Sequence, residues 1–260
     1  KFGGSRYVKM HVLSGGRLRM EKRIYAPGAA PGETLKLPVS CLLFRHAHGN
    51  LLFDTGCHPN VAENPEALWG EMARSVVPVM AAGDNVLSAL TRVNLAPEDI
   101  DIVVNSHPHC DHCGCNELFS NATIYVHADE LDCARDPASE GQGYFRAEWD
   151  HPLPTAEFTG EVDIFDDGRL VLLPLPGHTP GLTGLLAQLP NSGAYLLASD
   201  AAAIAKNLDA EIVSQNIWSR DLNLQSVAEI KRIGKSGAAI IHGHDLAQSI
   251  AFKAAEESYD

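Results

Sequence analysis

The chain has 260 residues, 45% of them hydrophobic and 20% charged, which is ample material for a core and too apolar for a disordered segment. Twenty basic against 33 acidic residues give a formal net charge of −13, a balance that repels phosphate backbones and anionic lipid and argues against nucleic-acid or membrane partners. Six cysteines are too few for a disulfide scaffold, and Cys110, Cys113 and Cys115 crowd together, so a reduced, cytoplasmic protein is expected. Apolar runs predict strands over 7–13, 39–45 and 51–54. A helix over 65–73 follows, with Asn64 as N-cap and Pro65 in its first position. A second helix over 85–93 carries apolar residues at 86, 87, 90 and 93 on one side. Residues 100–105 are too apolar for a half-exposed strand and predict a central one. Next come a strand over 123–127, a helix over 128–135, and a long Pro-, Gly- and aromatic-rich loop over 136–159 placed near function. Strands over 170–173, 185–189 and 195–198, a helix over 225–233 and a strand over 238–242 complete the chain. There is no internal repeat and no interdomain linker, so one domain of mixed α/β type over 1–260 is expected.

The densest chemistry is Ser106-His107-Pro108-His109-Cys110-Asp111-His112, where four metal-capable side chains follow a buried strand. Alternating His107 and His109 can aim two imidazoles one way while Asp111 and His112 serve a neighbouring position. Three more donors end other strands or turns: His178 in Pro176-Gly177-His178-Thr179-Pro180-Gly181, Asp200 after 195–198, and His244 in His242-Gly243-His244-Asp245. Asp200 alone also reads as a turn cap. Seven N and O donors exceed one tetrahedral ion and suit two divalent ions sharing a carboxylate, zinc first, with iron, manganese or cobalt as alternatives. His242 would face the same side as His244, as a rival ligand or a pocket residue. Asp54 and Asp245 read either as turn formers or as carboxylates orienting a ligand. Cys110 is placed in the pocket lining; Cys110 and Cys113 are formally a Cys-x-x-Cys redox pair, a reading the competing histidines around it oppose. His46 and His48 are expected to be solvated at a hairpin, and His11, His58, His127 and His151 to pack or lie on the surface. Trp69, Tyr144, Phe145, Trp149 and Trp218 are candidate walls of an apolar pocket, with Leu18 and Met20 as a candidate acyl-chain groove.

The order His-x-His-x-Asp-His, then His in a Pro-Gly-His-Thr turn, then Asp after a strand, then a late Gly-His-Asp resembles the metallo-β-lactamase superfamily. Asp54-Thr55-Gly56 matches its early turn, and the run from Ser106 to Asn116 with Gly243 to Asp245 is similar to the N-acyl homoserine lactone lactonase branch. The resemblance implies a four-layer αββα sandwich with two mixed sheets. It implies one metal on His107, His109 and His178, the other on Asp111, His112 and His244, and Asp200 between them. It further implies a hydrolase opening a lactone ester through a hydroxide held by both metals, with Asp111 as the catalytic proton carrier. A homodimer stays open as an assembly. Ala203 stands where lactonases of that branch carry a Tyr that hydrogen-bonds the substrate carbonyl, and it has no donor. Leu182 stands where many relatives have His and argues against the glyoxalase II branch. The alternatives are a hydrolase of the same fold acting on another lactone, an ester, an amide or a phosphodiester, and an iron-dependent sulfur dioxygenase or redox metalloprotein.

Overall fold

The structure, a computed structural model, describes residues 7–209 and 212–260. Its first sheet holds β1 (Val8–Glu21), β2 (Thr34–His46), β3 (Gly49–Phe53), β4 (Val77–Pro78), β5 (Ile102–Val104), β6 (Thr123–His127) and β7 (Thr155–Phe158), in the order β4-β1-β2-β3-β5-β6-β7. The second holds β8 (Val162–Asp163), β9 (Leu170–Pro174), β10 (Thr183–Leu189), β11 (Gly193–Ser199) and β12 (Ala239–His242), in the order β12-β11-β10-β9-β8. Both sheets are mixed: β3, β5, β6 and β7 run parallel beside the antiparallel β1–β2–β3 meander, and β12 runs parallel to β11 in an otherwise antiparallel sheet. The helices are α1 (Lys22–Tyr25), α2 (Pro65–Trp69), α3 (Val86–Arg92), α4 (Cys110–Cys113), α5 (Ala128–Arg135), α6 (Arg146–Trp149), α7 (Arg220–Lys235) and α8 (Leu246–Ala251).

The two-residue period of a strand builds the layers. On β2 and β3, Leu42, Phe44, Leu51 and Phe53 point toward Leu172, Leu185 and Leu197 of the second sheet, filling the space between the sheets. Their neighbours Cys41, Leu43 and Leu52 point the other way, onto Val86, Ala89 and Leu90 of α3. On β11, Leu196 and Ala198 face outward onto Ile230 and Ile233 of α7. The result is the expected helix–sheet–sheet–helix sandwich.

Several elements depart from their expected bounds. The first strand runs on to Glu21 because Gly16, at φ +121°, makes a bulge after which pairing with β2 resumes. The helix from Pro65 stops at Trp69 and tightens into a 3-10 turn over Gly70–Arg74. The stretch 136–159 carries α6 and β7, and β7 is held by parallel main-chain pairing to β6. The helix expected over 225–233 is the later part of α7, which starts where the Ser219 hydroxyl accepts from the Leu222 N–H. His46 is not solvated: it is 6% exposed, stacked on Phe165 at 4.1 Å between ring centroids, with Nε2 3.0 Å from Asp167 Oδ2. The 165–167 loop from the second sheet covers it, whereas His48 stays exposed. No helix among the described residues is long and apolar enough to cross a membrane.

Candidate metal centre

Strand ends from both sheets meet at one edge of the sandwich. Beyond β5, the chain passes through His107 and His109 and winds into α4, which presents Asp111 and His112. Amides staple this loop: Asn116 Nδ2 donates to Asn105 Oδ1 at 2.7 Å, and Thr55 Oγ1 donates to Asn116 Oδ1 at 3.0 Å. His178 sits in the turn between β9 and β10, where a Cβ on Gly177 (φ +137°) would collide with the Asn223 backbone. Asp200 follows β11 and His244 follows β12.

The tautomers follow from what lies behind each ring. Asp54 accepts from the Ser106 N–H at 2.7 Å and the Ser106 hydroxyl at 2.8 Å. With its proton on Asp54, Ser106 Oγ can only accept from His107 Nδ1, 3.0 Å away. His112 Nδ1 donates to Asp54 Oδ2 at 2.8 Å, and His244 Nδ1 to the Pro38 carbonyl at 2.9 Å. In the neutral form of all three rings Nε2 therefore carries the lone pair, and it faces inward. His107 Nε2 and His178 Nε2 lie 3.0 and 3.3 Å from His109 Nδ1. Asp200 spans the cluster, with Oδ2 3.5 Å from His178 Nε2 and Oδ1 3.1 and 3.6 Å from His244 Nε2 and His112 Nε2. Asp111 Oδ2 is 3.6 Å from both His112 Nε2 and His244 Nε2.

Three groups of donor atoms result, each drawn within 4.8 Å: His107, His109 and His178; His107, His112 and Asp200; Asp111, His112 and His244. Imidazole lone pairs aimed at one another repel unless a cation lies among them. His112 Nε2 and Asp200 Oδ1 are fully buried without a hydrogen-bond partner, a costly state that a cation relieves. The residues present thus fit two hard-to-borderline divalent ions. Burial and then the neighbouring imidazoles hold His107 and His109 well below the usual histidine range. Burial also disfavours charge on His112, but the Asp111 and Asp54 carboxylates outweigh it and lift the ring to about 10. Burial would raise Asp200, yet His244, His178 and His112 pull it well below the carboxylate range.

Asp54 (φ +61°) and Ser199 (φ +45°) are non-glycine residues in the left-handed region, and both belong to the site. Such strain costs on the order of 1 kcal/mol or more per residue and persists where surrounding bonds enforce it. The Ser199 hydroxyl donates to Ser106 Oγ at 2.9 Å, so the two strained turns share one hydrogen-bond chain.

The cluster floors a cavity of about 450 Å³, where Cys110 lies beside Asp111. Met20, Met72, Val76, Tyr144 and Trp218 form its walls, with Trp218 60% exposed at the mouth. Of the other proposed wall residues, Trp69 and Phe145 are core, and Trp149 borders a separate small cavity. Leu18 is 1% exposed and does not reach the cavity; it shares a strand face with Met20 but is fully buried in the core beside it, and only Met20 joins the wall. His242 lies outside the donor groups, with Nδ1 3.1 Å from the Ala202 carbonyl. Asp245 caps α8, accepting from the Gln248 and Ala205 N–H groups, both at 2.9 Å. Ala203 is buried, and its carbonyl accepts from the His244 N–H at 2.6 Å.

Sequence reasoning missed the Pro38 carbonyl, a backbone atom with no signal 206 residues from His244. It also missed Glu130, which burial pushes up to about 7. Glu130 accepts from the Gly181 N–H at 2.8 Å and the Tyr144 hydroxyl at 2.9 Å. It thereby ties the His178 turn to a tyrosine whose ring sits edge-on to His109 at 4.6 Å.

Residues 35–233 match the family model described as the metallo-beta-lactamase superfamily. The chain is 30% identical to the N-acyl homoserine lactonase AttM of Azorhizobium caulinodans, over 97% of this chain and 99% of that one. It is 31% identical to an N-acyl homoserine lactonase of a Bacillus species, over 92% and 94%. A solved N-acyl homoserine lactone hydrolase, with the product N-hexanoyl-L-homoserine bound at its catalytic metal centre, superposes with a TM-score of 0.86 at 27% identity, covering 96% of this chain and 98% of that one.

Proposed function

Because the chain belongs to the metallo-beta-lactamase superfamily, in its N-acyl homoserine lactonase branch, we propose that it is a two-metal hydrolase, with zinc as the native ion, opening the ester ring of N-acyl homoserine lactones. One observation carries this reading: seven donors fall into three groups overlapping at His107 and His112, with Asp200 within 3.6 Å of His112, His178 and His244, at the floor of an apolar-walled cavity. His107, His109 and His178 would hold one ion, Asp111, His112 and His244 the other, and Asp200 both. The ions would acidify a bound water to near-neutral pKa and draw charge from a carbonyl oxygen.

The protein's own groups do the rest. Asp200 is 5% exposed and Asp111 17% by side chain, so Asp111 is the carboxylate a substrate can reach. Asp111 Oδ2 faces the two imidazoles, which leaves Oδ1 to carry a proton. It takes that proton from the attacking water as the C–O bond forms and delivers it to the ring oxygen as the ester bond breaks. The product is an N-acyl homoserine, with a free carboxylate and a free hydroxyl. Met20, Met72, Val76 and Trp218 offer an apolar channel for the acyl chain and keep bulk water from the floor.

The chain would act as a single domain over 1–260. The free cysteines, five of the six buried, favour a reducing cytoplasm. The test is acid release in weak buffer from N-hexanoyl homoserine lactone by zinc- or cobalt-loaded protein, beside Asp111→Asn protein. Release by the wild type alone supports the reading. A wild type that holds two ions yet releases no acid overturns the substrate.

A further inference from the structure

The cavity has two buried phenols, and only one is committed. Tyr144 donates its hydroxyl hydrogen bond to Glu130 Oε2 at 2.9 Å, a strong acceptor it has no reason to leave. Tyr25 is 3% exposed, and its hydroxyl meets Met20 Sδ at 3.4 Å, a weak acceptor, and the Asn216 side chain. Turning from sulfur to a carbonyl oxygen would cost this hydroxyl little.

The Tyr25 ring stands edge-on to His244, 6.4 Å between centroids, and lines the cavity with Asp111, Asp200 and Asn216. Asp200 and Asp111 are the charged groups that act on its hydroxyl, which places it on the acidic side of the donor cluster. Its main chain is held from two directions. Asn207 Nδ2 donates to the Tyr25 carbonyl at 2.9 Å, and the Gln215 N–H donates to the Ile24 carbonyl at 2.7 Å. The phenol is thus a held donor on the wall of a cavity whose imidazole nitrogens are turned to the cluster or to their orienting partners.

We propose that Tyr25 is a catalytic residue that donates its phenol hydrogen bond to the lactone carbonyl oxygen as negative charge gathers there. No proton transfers; the O–H, turned from Met20 Sδ to the carbonyl on a ring already held in place, stabilises the oxygen more in the transition state than in the bound lactone. The inference rests on the lactonase reading above.

The test compares metal-loaded wild type with Tyr25→Phe, which keeps the ring and removes only the oxygen. Bound metal and melting temperature are checked on both. One readout is acid release from N-hexanoyl homoserine lactone; the other is equilibrium affinity for its lactam analogue, which offers the same carbonyl but does not open. The phenol hydrogen bond predicts kcat/KM lower by about 10²-fold, mostly in kcat, and lactam affinity lower by only about 3- to 10-fold, at unchanged metal content. Tyr25→Phe within threefold of wild type in both readouts overturns the inference while leaving the lactonase reading standing. A wild type that opens no lactone and binds no lactam overturns both.

Discussion

The two halves of the metal cluster are built by opposite means. His107, His109 and His178 are oriented by neutral groups: Ser106 Oγ behind His107, the Tyr144 ring against His109, and the Asn216 backbone at His178. Across Asp200, His112 and His244 sit among carboxylates, with Asp54 behind His112 and Asp111 beside both. Burial and neighbouring rings keep the first half's imidazoles neutral, whereas carboxylates lift His112 to about 10 and raise His244. The first half therefore offers lone pairs with no proton to release, and the second offers more negative charge but must give protons up as a cation enters. On the proposed reading, that asymmetry would give the tighter electrostatic holding and the proton handling to the acidic half.

The sharpest way to break this division is Asp111→Asn, which keeps the side-chain volume and removes the proposed proton carrier. Lactone opening should fall by about 10³-fold or more with unchanged circular dichroism; a near-normal rate would remove Asp111 from that role. His178→Ala and His244→Ala should each lower bound metal from two ions toward one, read by elemental analysis of dialysed protein. Two ions retained in either variant would strike that residue from the ligand set. The ion left in His178→Ala should resist a chelator longer than the ion left in His244→Ala, because it keeps Asp111. Its retention should weaken as pH falls, since protons then compete for His112.

Orientation at a distance makes a smaller effect. Asp54→Ala should weaken metal retention by about 10- to 100-fold, by freeing His112 to rotate. Ser106→Ala should weaken it less. The smallest effect belongs to Glu148, buried against the Trp69 indole, which donates to its carboxylate at 3.1 and 3.2 Å. Burial, with Asp111 adding to it, pushes Glu148 up to about 8. The folded protein then holds a proton that the unfolded chain releases near 4.5, so this contribution is full at low pH and lost as pH rises from about 4.5 to about 8. In metal-free protein, Glu148→Gln should flatten the fall in melting temperature between pH 5 and 8. An identical decline in both proteins would place the proton elsewhere.

Much of the molecule is legible along the chain because its physics is local. Apolar runs at 39–45 and 51–54 announce strands buried on both faces, and the 106–112 run announces metal chemistry since four donors lie within one loop. Where the signal was interrupted or absent, reading stopped short. The strand expected over 7–13 stops before the Gly15-Gly16 bulge, after which pairing resumes, while β7 is only four residues long and sits in a Pro- and Gly-rich stretch. His46 was misread because its cover, Phe165 and Asp167, comes from a loop about 120 residues away.

Residue types and their spacing within each loop determined the donor set, the fold class and the acidic surface. Only the tertiary structure decided that Asp200 reaches both halves, which imidazole nitrogen is free, and that Met20 but not Leu18 meets the cavity. It alone brought Tyr25 beside residues 111, 200 and 216. These are distances between strand ends far apart in sequence, set by how two sheets pack, and hydrogen-bond directions set by whichever backbone or carboxylate oxygen that packing leaves behind each ring.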